Sequence, residues 1–135
     1  RDWSSDVCSS DLYKEWGYAY LKLGQLDSAE WAWTRFKILN PSSQYHQIHD
    51  KLLSEAKFSQ CMEEYNAHYR DKNYYYLKGL LNRALQYKKE DAATLVNLGK
   101  VYYLNQQTDS ARICWTRALQ SDSSNAEARS LIRLF

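Results

Sequence analysis

Glycine and proline are scarce in this chain, four and one among 135 residues, and long stretches run without either. A turn-rich β architecture uses both at its corners, so their scarcity argues against one and points to an all-α chain. Any apolar run approaching the roughly 20 residues that span a bilayer is also missing, so no membrane segment is expected. No basic-then-apolar start marks a secretion signal. The sequence holds no phosphate-cradling Gly-rich loop, no nucleophile elbow and no zinc-hydrolase helix. Its paired carboxylates, Glu63-Glu64 and Glu90-Asp91, are neighbours in sequence and read as solvated faces rather than acid/base pairs. No catalytic residue, cofactor or small-molecule substrate is expected of this segment. What composition does supply, 44% hydrophobic and 25% charged residues, suits an ordinary globular domain.

Residues 2–12, Asp-Trp-Ser-Ser-Asp-Val-Cys-Ser-Ser-Asp-Leu, match codon by codon the translation of a common short-read sequencing adapter. Residues 1–12 are therefore expected to be non-native, with the natural sequence starting at Tyr13. The competing reading is a polar, Ser/Asp-rich N-terminus. Setting the segment aside takes Lys plus Arg from 18 to 17 and Asp plus Glu from 16 to 13, moving the formal charge from +2 to a mildly basic +4. Cys8 leaves with it. Cys61 and Cys114 stay, isolated among apolar helix positions and without metal-ligand spacing, which suits core residues better than a disulfide or zinc site. The adapter match points to bulk-sequenced microbial DNA and hence a bacterial fragment. The compartment stays open: cytoplasmic, or periplasmic or envelope if a signal sequence lies upstream.

The chain also repeats itself. Asp27-Ser28-Ala29 and Trp33-Thr34-Arg35 recur as Asp109-Ser110-Ala111 and Trp115-Thr116-Arg117, six identities at a constant offset of 82. Self-similarity of this kind marks a stacked helical array. Around the first copy stand Tyr13, Trp16-Gly17, Tyr20, Gly24, Ala29, Trp33, Phe36 and Pro41, and around the second Leu95, Leu98-Gly99, Tyr102, Ala111, Trp115 and Ala118. This pattern resembles the tetratricopeptide repeat, whose period is about 34 residues. Two such periods leave about 14 residues over, which the stretch Gln44 to Lys57 can absorb. A middle unit, Phe58 to Asp91, is degenerate, with Glu64-Tyr65 where the family has Leu-Gly and Leu77 where it has a small Ala; Ala84 carries its assignment. The resemblance implies a right-handed α-α superhelix of stacked antiparallel helix pairs. Its units cover about 13–43, 58–91 and 92–125, with an inserted helical stretch 44–57 and a capping helix 125–135. Gly17, Gly99, Ala29 and Ala111 would let paired helices approach closely, with Trp16, Tyr20 and Trp33 filling the space.

The spacing predicts helices over Tyr13 to Leu23, Ser28 to Leu39, Gln44 to Arg70, Asn73 to Tyr87, Ala92 to Asn105, Asp109 to Gln120 and Asn125 to Leu134. Pro41, Ser42 and Ser43 end one helix and offer caps to the next. Ser124, three residues before Glu127, forms a capping-box pattern. The stretch from Gln44 to Arg70 reads either as one helix of roughly 40 Å or as two, broken near Glu55 to Phe58.

On the first helix of each unit, the side chains turned away from the paired helix line the concave surface of such arrays. By this resemblance they are Lys14, Tyr18, Leu21 and Lys22, then Met62, Asn66, Tyr69 and Arg70, then Val96, Lys100 and Tyr103. They include four cations, three Tyr and no acid. Such a face favours a protein or peptide partner that is acidic or carboxylate-terminated. The plainer reading is a solvated surface with Lys kept for solubility. Lys14, Asn66 and Lys100 resemble parts of the family's carboxylate clamp, whereas Tyr18 and Val96 stand where that clamp has Asn and Lys. His46 and His49, with Asp50, could share a helical face as metal ligands, but no third strong ligand is signalled, and an exposed helix surface with no metal is expected. Tyr74-Tyr75-Tyr76, with Lys72, Lys78 and Arg83 nearby, raises a helical-repeat nucleic-acid binder; the modest charge counts against it. The expected function is thus a non-catalytic scaffold. The alternatives are a docking or regulatory module of a larger enzyme or transcription regulator, or a nucleic-acid binder.

Overall fold

With few backbone breakers to stop them, helices run nearly end to end along the chain. The computed structural model describes the backbone of residues 6–135 and the side chains from Ser10 onward. Within those limits the elements are α1 (Asp6–Lys22), α2 (Leu26–Leu39), α3 (Tyr45–His68), a 3₁₀ turn (Tyr69–Asp71), α4 (Tyr74–Tyr87), α5 (Ala92–Leu104), α6 (Thr108–Ser121) and α7 (Ala126–Leu134). No strand occurs among the described residues. The chain divides into two compact units, Arg1–Lys57 and Phe58–Phe135.

The close helix pairing has the same cause in both units. In the first, Trp33 lays its indole on Gly17, where any Cβ would collide with the ring. Its Nε1 donates to the Lys14 carbonyl at 3.1 Å. In the second, Trp115 covers Gly99 in the same way and donates to the Val96 carbonyl at 3.2 Å. Each acceptor stands three residues before its glycine. A missing side chain thus makes room for a ring, and an indole donor fixes its orientation. Ala29 and Ala111 are fully buried beside these contacts. The fold is the all-α, tetratricopeptide-like helical repeat that the sequence resembles.

The first unit's core gathers Ala29, Trp33 and Leu53, flanked by Tyr18, Tyr20, Leu21 and Leu52. The second unit has two clusters. Tyr65, Leu77, Leu80, Leu81, Leu98, Val101 and Cys114 form one; Leu95, Val96, Ala118 and Ala128 form the other. Cys61 and Cys114 are free and buried, and burial raises both thiol pKa values.

Three sequence expectations need correction, and one open alternative is decided. First, α1 starts at Asp6 rather than Tyr13, since no Gly or Pro precedes Gly17 to halt it. Of the segment expected to be non-native, residues 1–5 lie outside the described residues, and Asp6 to Leu12 are helical. Second, the stretch Gln44 to Arg70 follows the one-helix reading and not the two-helix alternative: α3 continues through Glu55 to Phe58 without a break, an uninterrupted 24 residues. Third, Ser124 does not cap α7: its hydroxyl donates to Asp122 Oδ1, and Asn125 Oδ1 accepts the Ala128 N–H at 2.9 Å instead. The side chain adjacent to the helix wins because a short amide reaches the third N–H directly. Fourth, His49 is not on an exposed surface but in the first unit's core. Ser43 does accept from the Tyr45 N–H at 3.2 Å, as its position before α3 suggested.

Candidate functional site

In the second unit, helix α5 and the segments around it place several of the expected surface residues together. Tyr69, Lys100 and Tyr103 line an open cleft of about 250 Å³ together with Leu104, Trp115, Leu131 and Phe135. Trp115, pinned over Gly99, supplies a rigid wall. Phe135 lies against Tyr103 with ring centroids 4.3 Å apart and reaches to 6.1 Å from Trp115. Its carbonyl accepts from Arg112 Nε at 3.0 Å. The cleft is therefore mostly aromatic and aliphatic, with one cation. That cation is engaged: Lys100 Nζ forms an ion pair with Glu127 of α7.

The other expected contact residues are distributed differently. Val96 is 1% exposed, packed with Leu95, Ala118 and Ala128, and so offers no surface. It belongs to the core because α7 covers that part of α5, a burial that helical spacing alone does not reveal. Met62 packs partly buried against the first of the second unit's clusters. Asn66 and Arg70 are exposed on the α3 end and the 3₁₀ turn. In the first unit, Lys22 is exposed and Leu21 is half-buried. Lys14 sits over the Tyr45 ring at 4.7 Å. Tyr18 is drawn inward: its hydroxyl lies 3.2 Å from His49 Nε2, and burial raises its pKa.

His49 is the residue whose environment spacing misjudged most. Its ring stacks on Trp33 at 4.1 Å with a 2° interplanar angle and meets Tyr18 and Phe36 edge-on. Burial first, then the neighbouring His46, lowers its pKa to about 4, while Asp50 pulls the other way. Nδ1 is buried without a hydrogen-bond partner among the described residues. His46 turns elsewhere, its Nε2 2.6 Å from the Asn40 carbonyl. The described residues contain no group of three or more His, Cys, Asp or Glu that could hold a metal.

The three tyrosines of the run face different surroundings. Tyr74 packs on the second unit's core, Tyr75 is 86% exposed, and Tyr76 donates its hydroxyl to Glu64 at 3.1 Å. Lys78, one of its basic neighbours, donates to Gln107 at 3.0 Å. No described helix is long and apolar enough to cross a membrane. Missed by sequence reasoning were Phe135, Trp115 and Leu131 as cleft walls and Glu127 as the partner of Lys100. The apolar ending Ile132, Leu134, Phe135 was the available signal.

Among solved structures, the chain is similar to the first TPR of Spaghetti (RPAP3) bound to the HSP90 peptide SRMEEVD. The identity is 20% and the TM-score 0.47, with 93% of this chain and 89% of that chain covered. It is likewise similar to the first TPR domain of human RPAP3, at 20% identity and a TM-score of 0.47, covering 93% of this chain and 88% of that one. No family model and no curated protein matches the chain.

Proposed function

We propose that this chain is a non-catalytic scaffold that binds a protein or peptide segment, with the Tyr69, Lys100 and Tyr103 cleft as the principal contact in the second unit. The observation that carries this reading is the cleft's make-up: rigid aromatic walls, an aliphatic floor from Leu104 and Leu131, and a single lysine. Rigid rings supply contact area at little conformational cost, and a cation orients an incoming carboxylate. The preferred partner is an acidic or carboxylate-terminated segment that lays an apolar side chain against Tyr103 and the exposed Leu104 and takes Lys100 from Glu127.

Calorimetric titration with an acidic peptide bearing a free C-terminal carboxylate, and with its amidated twin, tests this. The free acid should bind more tightly, and combined Lys100→Ala and Tyr103→Ala should weaken it at least about tenfold, or about 1.4 kcal/mol. Glu127→Gln should strengthen it several-fold by freeing Lys100. Equal binding of both peptides to wild type and variants, with the helical spectrum intact, sinks the proposal. Salt-sensitive binding of oligonucleotides but not peptides would favour the nucleic-acid reading instead.

A further inference from the structure

Helix α7 already meets the second unit's cleft at the points an acidic, apolar ligand would use. Glu127 holds Lys100 Nζ in an ion pair. Four residues on, Leu131 lines the cleft. Four further on, the Phe135 ring lies against Tyr103 at 4.3 Å, and its carbonyl accepts from Nε and Nη2 of Arg112. Positions 127, 131 and 135 fall on one face of a helix, since four residues make about one turn. An acid, an aliphatic and an aromatic side chain at that spacing therefore fill the cleft from within the chain.

The same helix is weakly held. It has nine residues, fewer than the roughly 12–15 below which isolated helices are marginal in water. Of these only Ala128 is buried, while Leu134 is 72% exposed. Glu127 is exposed, and an ion pair in such a place adds little to the hold. What α7 does cover is apolar: Ala128 packs with Leu95, Val96 and Ala118 in one buried cluster. An extended segment that took only Lys100 and Tyr103 would leave that surface bare once α7 moved. A helix in its place would cover it again.

We infer that α7 is an intramolecular competitor for this cleft, replaced on binding by an amphipathic helix of a partner protein that carries an acid, an aliphatic residue four positions later and an aromatic one eight positions later. The inference rests on the proposed peptide-binding reading and adds to it the form of the ligand and the element that yields. Recognition is then of the helix-in-groove kind, with anchors one turn apart. Arg112, freed from the Phe135 carbonyl, becomes a second cation for the partner. Because α7 is tethered, it competes at an effective concentration on the order of millimolar and lowers the partner's apparent affinity until it is loosened.

The probe is an acetylated, amidated and helix-stabilised peptide with the sequence of residues 124–135, titrated into the full chain. Amide hydrogen exchange in α7 and the Trp33 and Trp115 indole N–H resonances are followed. The Glu127→Ala, Phe135→Ala double variant loosens α7 but leaves Lys100, Tyr103 and Arg112 in place, so it should bind the peptide at least tenfold more tightly than wild type. Saturation should shift Trp115, abolish exchange protection in wild-type α7 and leave Trp33 unmoved, which reports an intact first unit. The same two substitutions made in the peptide should weaken its binding at least tenfold. Equal affinity of both chains, saturation with α7 still protected, or no saturable binding to the double variant at about 1 mM overturns the inference. If an acidic free-acid peptide binds through Lys100 and Tyr103 while α7 stays protected, the scaffold reading survives and this inference alone falls; if neither peptide binds, both fall. Concentration-dependent dimers that exchange α7 between two copies would make a second copy the occupant and overturn the assignment to a partner.

Discussion

Adding one methyl group at different glycines should give opposite signs. In Gly99→Ala the new Cβ falls within the Trp115 indole, a ring held by its bond to the Val96 carbonyl. Overpacking costs about 1–3 kcal/mol, against about 1 kcal/mol returned by alanine's better helix propensity, so a net loss of up to about 2 kcal/mol is expected. Gly79, inside α4, has open space at the same position. Gly79→Ala should therefore stabilise by about 0.5–1 kcal/mol. Urea midpoints at constant slope measure both. His49 makes a second residue-scale prediction. The folded state keeps the ring neutral down to about pH 4, whereas the unfolded chain takes up the proton near 6.5. Its contribution is thus fully present above about pH 6.5 and is lost as pH falls towards 4, where the folded state also protonates. The loss across that window should be about 3 kcal/mol, and His49→Phe should flatten this part of the stability profile. An unchanged slope in the variant would show that the acid sensitivity arises elsewhere.

At the scale of elements, the start of α7 separates two ways of capping a helix. Asn125→Ala should cost about 1 kcal/mol, because Asn125 holds the Ala128 N–H, while Ser124→Ala should cost far less, its hydroxyl being occupied with Asp122. Thermal melts of the two single variants decide it. The helices themselves were legible in the sequence because the evidence for them is local: scarce breakers, apolar spacing, and a cap at Ser43. The glycine and tryptophan pairing was legible because it recurs. What could not be read was which neighbour covers a given face. Val96 and Lys100 lie on the expected side of α5, yet α7 buries one and its Glu127 engages the other. Contacts between elements distant in sequence settle such matters, and spacing within one helix carries no information about them. For the same reason His49 sits on the predicted helix but in the core, held by rings from α1 and α2.

Across the whole molecule, burial is uneven. Among the described residues the second unit holds two core clusters and the first one, and α5 and α6 carry Leu95, Val96, Leu98, Val101, Ala111, Cys114, Trp115 and Ala118 in the interior. Native-state hydrogen exchange should accordingly find the slowest amides in α5 and α6 and faster ones in α1 and α7, since local opening is cheapest where least apolar surface is covered. Uniform protection along the chain would contradict this. The two indoles laid over glycines offer a way to follow each half separately. Trp33 belongs to one unit and Trp115 to the other, in matching cages. The ring current of each indole should shift the α-protons of the glycine beneath it, Gly17 or Gly99, away from their usual resonance positions. The molecule therefore carries a pair of matched spectroscopic labels, and the order in which those two shifts collapse during denaturation would time the melting of its two halves without any dye or tag.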